Sequence, residues 1–496
     1  MLKLPFIKIT DKFNGKLSTA LLTHYSQQAS RLDGNKDGFM DLPLFNLVNV
    51  MNRWKYESDK WMVQWGGGYL GEQRVAGQMN FEEKTSNRYF VYGFGSATTR
   101  FESFAKIARL FQTKPWKGLG LILSAADHRN DSYFAFKQYV GREQSVFGNL
   151  IYQSIINSTI HKFRTGFSFQ YDKYNEDYNL NSYVRKEIVP GTFFEYTYTP
   201  NDQWSLVAGI RGDNNNIYGS FITPRLNIRY EPVIGTVFRL SAGKGQRTAN
   251  IFAENNSLFV SQRSLMIMGQ NNSGAYSLNP EISWNKGISL DQKFNVFNNP
   301  ATLSLDYFRN DFKNQVVVDI ESAKKIHIYN LAGKSYSNSF QAEVNMTPFT
   351  KLDIRVAYRY FDVKQTYSGN LLDRPFIAKH RAFLSVDYAT NNDWKFNYTV
   401  TFNGKKRIVN PYESYVSFIP PTSSPSYYLM NAQVSKSFGN NNLMDIYVGV
   451  ENISNFFQQN TILSADDPFG PNFDASMIWG PVTGRMLYVG WRIKIK

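Results

Sequence analysis

Apolar and polar side chains alternate along almost the whole chain. In WKFNYTVTFN, Phe396, Tyr398, Val400 and Phe402 alternate with Asn397, Thr399, Thr401 and Asn403. In KLDIRVAYRY, Leu352, Ile354, Val356 and Tyr358 alternate with Asp353, Arg355 and Arg359. HKFRTGFSFQY sets Phe163, Phe167, Phe169 and Tyr171 against Arg164, Ser168 and Gln170. A repeat of 180° per residue makes strands with one apolar and one polar face. Roughly 21 strands follow from this pattern, the first about 3–12 and the last 481–496. Amphipathic helices are scarce.

The connections alternate as well. Short polar turns at 199–203, 231–236, 295–300, 347–351, 389–394 and 437–443 take turns with long loops near 250–281, 314–334, 367–379, 405–425 and 456–480. Short turns at one end and long loops at the other mark an outer-membrane barrel, whose tilted strands of about 10 residues cross the bilayer. Closure gives every backbone group a partner inside lipid. The expected fold is therefore all-β: a transmembrane antiparallel β-barrel of the roughly 22-stranded type, with about 21 strands present, occupying 1–496 as one domain. The polar faces carry Arg, Asn, Gln and Ser, as a wet lumen would. Trp394, Tyr307, Tyr388, Tyr488 and Trp491 sit where aromatic girdles belong. A soluble sandwich would bury the apolar face against a second sheet, so a soluble or surface-displayed all-β binding protein is the competing reading.

Composition narrows the chemistry. The 496 residues hold 39 Phe and 31 Tyr, yet only 19% are charged. No run of about 18 apolar residues offers a membrane helix. There is no cysteine, which excludes disulfides, thiolate metal sites and a thiol nucleophile. The opening MLKLPFIKITDKF has no apolar core or cleavage site of a signal peptide. No Ser-His-Asp grouping, phosphate loop or H-E-x-x-H is found, so no enzyme is expected. Net charge is +15, without a compact basic motif for nucleic acid. By alternation Arg164, Arg225, Arg229, Arg355, Arg359 and Arg492 face inward. A basic lumen focuses anionic solutes, or seats the acidic residues of a plug.

Some local features carry candidate chemistry. DGNKDGFMD places Asp33, Asn35, Asp37 and Asp41 around Gly38, the front half of a calcium loop. Position twelve of such a loop is Leu44, so the bidentate carboxylate is absent. A structural calcium ion and a metal-free Asx/Gly turn both fit; no cofactor is required. His24 and His128 fall near the long-loop ends as candidate metal or haem ligands. Met266 and Met268 lie in an apolar loop suited to substrate contact or to packing. Lys405, Lys406 and Arg407 would sit at an outer strand end, either meeting lipopolysaccharide phosphates or forming a solvated face.

Several stretches resemble one family. GKGQRTANIFAEN (243–255), LNPEISWNKGISLDQKF (278–294), VENISNFFQQN (450–460) and the closing GPVTGRMLYVGWRIKIK resemble, in the right order, segments of TonB-dependent outer-membrane receptors of the Bacteroidetes type. Gln246, Thr248 and Ala249 replace the usual Phe, Ala and Pro, Gly287 replaces a common Glu, and the end is Ile-Lys-Ile-Lys rather than an aromatic. The resemblance implies an integral protein of a Gram-negative outer membrane that takes up a scarce, bulky nutrient: a ferric siderophore or other metal chelate, cobalamin or a glycan. It implies energy from a TonB–ExbB–ExbD complex acting through a plug. It also implies ligand contacts at the lumen or mouth, for which Arg164, Arg225, Arg229, Arg247, Arg355, Arg359, His24 and His128 are candidates. A plug, a signal peptide and one first strand are expected upstream of Met1, which makes this chain the barrel portion; a plugless passive porin is the alternative.

Overall fold

The computed structural model describes residues 2–13 (backbone only), 15–271, 274–409, 421–439 and 443–494. In chain order the strands are β1 Leu2–Phe13, β2 Leu17–Gln28, β3 Leu44–Glu57, β4 Trp61–Gly77, β5 Gly93–Leu110, β6 Gly118–Phe134, β7 Lys137–Ile156, β8 Ser158–Tyr178 and β9 Asn181–Tyr198. They continue as β10 Trp204–Asn215, β11 Gly219–Val233, β12 Thr236–Arg247, β13 Ser264–Ile267, β14 Glu281–Val296, β15 Asn299–Lys313, β16 Val316–Asp319 and β17 Lys325–Asn330. The rest are β18 Ser335–Phe349, β19 Leu352–Tyr367, β20 Asn370–Asp373, β21 His380–Ala389, β22 Trp394–Asn403, β23 Tyr427–Phe438, β24 Met444–Glu451 and β25 Met486–Ile493. One helical turn, α1, covers Ile251–Glu254.

A single 22-stranded sheet holds all of these except β13, β16 and β17. One of its members, β20, is a four-residue spur on β19; the other 21 form a continuous antiparallel meander from β1 to β25. β1 runs into a short turn and β25 out of a long loop, so the two run in the same direction. No pairing between them occurs among the described residues.

The sheet nevertheless curls round on itself. The loop between β24 and β25 reaches the loop between β2 and β3: Asn35 Nδ2 donates to Thr461 Oγ1 at 3.2 Å, and the Phe39 and Phe473 rings lie 5.8 Å apart. Groups more than 400 residues apart in sequence meet only if the first and last hairpins are neighbours. Antiparallel pairing along the rest of the wall leaves no lipid-exposed edge except at β1 and β25.

Side-chain parity follows the sequence pattern. Outward positions carry Tyr69, Phe101, Leu123, Leu150, Phe167, Phe194, Ile288 and Val356, all exposed. Inward positions carry Arg164, Arg225, Arg229, Arg239 and Arg355 with their acids Glu195, Glu231, Asp291 and Glu343. Such a wall, greasy outside and ionic inside, is stable with lipid around it. The girdle expectation fails at Tyr488, where alternation itself holds. Leu487, Val489 and Trp491 take the outward face of β25, so Tyr488 turns inward over Gly449, whose added Cβ would meet its ring at 2.2 Å. The same logic explains Gly287: a Cβ there would lie 2.2 Å from the Phe308 ring. β25 itself is shorter than expected, because 481–485 belongs to the preceding loop; Arg485 donates to the Ile453 carbonyl at 2.7 Å. Ile495 and Lys496 lie outside the described residues.

The long loops hold the molecule's buried apolar core. Phe252 and Phe259 from the β12–β14 connection pack with Phe134, Tyr139 and Tyr178 of the tall β6–β9 hairpins. Phe39, Tyr92, Ala135 and Phe473 form a second cluster, and Ile320, Ile326, Ile408, Val409, Leu463 and Met477 a third. A small sheet of β13, β17 and β16 lies within this layer. The expected short turns at 199–203, 231–236, 295–300, 347–351 and 389–394 fall at the opposite end, and 440–442 of the sixth lie outside the described residues.

Candidate functional site

The loops from β12–β14 and β24–β25 spring from well-separated parts of the wall, yet join at a buried ion pair. Arg263 and Asp474 are both 0% exposed and meet at 2.7 Å. Arg263 also donates to the Ile320 carbonyl at 3.0 Å and Ser261 Oγ at 3.1 Å. Asp474 accepts from the Ser476 amide and hydroxyl at 2.8 and 2.6 Å. Lys137, at the top of β7, donates to the Ser261 carbonyl. Burial pushes the Lys137 amine down to about 8, with Asp474 opposing the shift and Arg263 adding to it. This clasp draws a layer of loops across the mouth.

Below the layer, on the inner wall of β19 to β25, lies a cavity of about 750 Å³. Arg359 and Arg381 face each other directly across β19 and β21, and neither has an ion-pair or hydrogen-bond partner among the described residues. Lys406 completes a cationic triad. Its Nζ donates to the Trp479 carbonyl and, at 3.2 Å, to the Tyr427 hydroxyl. Burial and the Arg381 cation push the Lys406 amine down from its ordinary value. Phe361, Phe376, Tyr427 and Trp479 supply the apolar lining. Glu451 is the sole carboxylate on the lining. Opposed cations on one cavity wall concentrate positive charge there, a field that attracts anions.

This placement corrects one expectation. Lys405, Lys406 and Arg407 do follow the outer end of β22, but they do not present one basic cluster to the membrane surface. β22 ends at Asn403, alternation stops there, and Lys406 turns inward while Arg407 forms a two-pronged bond with Glu321 at 2.8 and 2.6 Å. Lys405 alone stays exposed.

The other arginine candidates face inward and are neutralised. Arg164 and Arg225 share Glu195, Arg229 pairs with Glu231, and Arg355 with Glu343 at 2.8 Å. Arg247 holds Glu281 at 2.7 Å and Glu254 at 2.9 Å, which ties α1 to the wall. Arg359 is thus the one candidate that lines the triad cavity; Arg381 had been missed.

His24 and His128 both face inward, His24 beside Asn49 and His128 between Arg100 and Glu143. They do not converge, and no group of three or more His, Asp or Glu suited to a metal occurs among the described residues. Asp33 accepts from the amides of Asp37 and Gly38, both at 3.1 Å, and Asp41 from the amide of Gly34 at 2.7 Å. Asp37 accepts from Phe39 N at 2.9 Å. Gly38 has φ +85°, as the turn requires. Burial raises the Asp41 pKa, the Gly34 amide lowers it, and the Asp33 and Asp37 charges raise it further. Within the Met-bearing loop, Leu265 and Ile267 pack inward while Met266 and Met268 stay exposed.

Sheet, faces and loop-capped mouth together define an integral outer-membrane β-barrel with a wet, ionic lumen. A model of the TonB-dependent receptor-like β-barrel matches residues 10–453, and the chain belongs to that family. It is a transporter barrel of the Gram-negative outer membrane and not an enzyme. No curated protein sequence matches it. Among solved structures it is similar to the siderophore receptor PirA from Acinetobacter baumannii (14% identity, TM-score 0.71, 96% of this chain and 75% of that one). It is also similar to a mutant of the ferric enterobactin receptor PfeA from Pseudomonas aeruginosa (14%, 0.72, 98% and 76%). The alcaligin outer-membrane receptor FauA from Bordetella pertussis is a third (12%, 0.61, 90% and 70%).

Proposed function

We propose that this barrel serves energised uptake of a bulky anionic metal chelate of the siderophore class, captured at the mouth in the Arg359–Arg381–Lys406 cavity. The observation that carries this reading is the pair of opposed, unneutralised arginines over a cavity of about 750 Å³ with aromatic walls. Two like charges side by side cost stability unless an anion comes between them, and the volume suits a ligand of several hundred daltons. The solved structures it is similar to are named as receptors of siderophores, which is consistent with this class of ligand. Transport energy would come from the TonB–ExbB–ExbD complex acting through a plug.

The test uses Trp479, whose ring lines the cavity. A negatively charged ferric chelate should quench its fluorescence on binding, and a neutral chelate of the same size should do so far less. Arg359→Gln/Arg381→Gln should weaken binding by about tenfold or more, since charge-assisted hydrogen bonds contribute about 1.5–3 kcal/mol each. Unchanged affinity in that variant would remove the cavity from the account. Uptake that persists after the proton-motive force is collapsed would favour the passive porin.

A further inference from the structure

The outer surface carries its own opposed cations, in a place that the lumen chemistry does not use. On β6 to β9 the outward apolar belt ends with the rung Ala125, Val146, Tyr171 and Ile188, aligned across the four strands. On β8 the belt runs from Phe163 to Tyr171, about the nine residues that a tilted strand needs to cross hydrocarbon. The next rung up reads Asp127, Gln144, Lys173, Lys186, and the one above it begins with Arg129 and Arg142. Lys173 therefore stands directly opposite Lys186, and Arg129 directly opposite Arg142. Two carboxylates answer these four cations: Asp127 binds Arg142 at 2.6 and 3.1 Å, and Asp131 lies 3.8 Å from Arg129. Lys173 and Lys186 have no ion pair among the described residues; the Lys186 ammonium sits 5.7 Å from the Tyr171 ring.

The pattern recurs further round the wall. Lys286 opposes Arg309 on the outward faces of β14 and β15, two residues above Ile288 and Tyr307 of the belt. Both lean on the single carboxylate Asp311, at 3.6 and 2.8 Å. Directly opposed like charges destabilise a sheet. Here three such pairs sit within two rungs of the upper edge of the hydrocarbon belt, at the height of the outer-leaflet headgroups.

We propose that these outward pairs form a basic collar that binds the phosphate groups of the phosphorylated glycolipid of the outer leaflet. A phosphate between Lys173 and Lys186, or capping Arg129 and Arg142, turns repulsion into charge-assisted hydrogen bonds. Arginine presents a fork for phosphate oxygens, and lysine a compact charge. The height of the collar selects a membrane-borne phosphate over a soluble one.

The experiment takes the protein extracted from outer membranes in neutral detergent, stripped of lipid, and adds back lipid A bisphosphate, its dephosphorylated form, or inorganic phosphate. Binding is read by native mass spectrometry and by thermal midpoint. The variant is Lys173→Gln/Lys186→Gln/Arg129→Gln/Arg142→Gln; the control is Arg109→Gln, outward on β5 beside Trp61 at the short-turn end. The collar predicts that the bisphosphate binds and stabilises the wild type, that the dephosphorylated lipid does so about tenfold less, and that the control behaves as wild type. It further predicts an opposite pair of effects in the fourfold variant. That variant should be at least as stable as wild type in neutral detergent, because repulsion is gone, and should lose the lipid stabilisation. Equal binding of the two lipids, retained binding in the fourfold variant, or equal stabilisation by inorganic phosphate at matched concentration would each overturn the proposal.

Discussion

The clasp between Arg263 and Asp474 gives a quantitative prediction about the mouth. Both side chains are fully buried and 2.7 Å apart. Replacing Arg263 with Met keeps most of the volume and leaves the Asp474 carboxylate buried, with Ser476 among its remaining partners. Removing one member of a buried pair costs about 3–5 kcal/mol, because the survivor loses the cation bonded directly to it. The loss falls on the loops and not on the strands, whose ladder is untouched. Opening of 258–268 and 470–477 should therefore become easier by roughly two to three and a half powers of ten, at 1.4 kcal/mol for each. Hydrogen exchange read by mass spectrometry over those two segments measures this directly, with β19 and β21 peptides as an internal reference. The double variant Arg263→Met/Asp474→Leu removes both desolvated charges and should recover most of the protection. An acceleration below about tenfold in the single variant, or a double variant as open as the single, would refute the view that the pair holds the two loops together.

Lys137 adds a pH dependence to the same region. Its amine is pushed down to about 8 in the folded loops and returns to about 10.4 when they open. The open state thus binds more protons between these values, so loop protection should rise with pH across that window and be flat in this respect below it. Loop protection in wild type relative to Lys137→Met isolates the effect; relative protection that falls from pH 8 to 10 would contradict it. For the 33–41 loop, the Asp33, Asp37 and Asp41 carboxylates are already engaged by the amides of Gly34, Asp37, Gly38 and Phe39. Millimolar calcium against a chelator should accordingly leave exchange at 33–41 unchanged, and clear slowing with calcium would show that the ion displaces those amides.

The wall was legible in the sequence because lipid outside and water inside impose period two on every strand, whatever the residue. The two kinds of connection were legible for the same reason: turn residues recur where strands reverse tightly. Where these constraints lapse, so does the reading. Lys405, Lys406 and Arg407 read as one cluster at an outer strand end, but β22 ends at Asn403 and the loop turns the Lys406 side chain to Trp479. Arg359 was found by parity and Arg381 was missed, since their significance lies in facing each other, a matter of register between strands. The packing of Phe39 on Phe473 and of Arg263 on Asp474 leaves no periodic trace, because each joins loops far apart in the chain. One local hint existed for the clasp. Arg263 lies in SLFVSQRSLMIM, and a lone cation in such an apolar run needs a buried partner.

Register also separates the arginines that build the wall from those that await something else. Arg229 and Arg239 oppose each other on the inner face, but each has its own acid, Glu231 and Asp291; that pair lies near the short turns and costs little. Arg359 and Arg381 oppose each other with no acid paired to either among the described residues, and Lys173 faces Lys186 in the same condition on the outer face. A folded sheet that keeps such pairs pays for them with stability unless the missing charge comes from outside the chain. The unneutralised pairs stand where a foreign anion can reach: one on a cavity under the mouth, the other at the headgroup level. Both variants that remove them should then share one signature, equal or greater stability of the empty protein and weaker binding of the anion. A destabilised Arg359→Gln/Arg381→Gln barrel would mean that those arginines serve the fold, and the cavity would lose its claim to be a binding site.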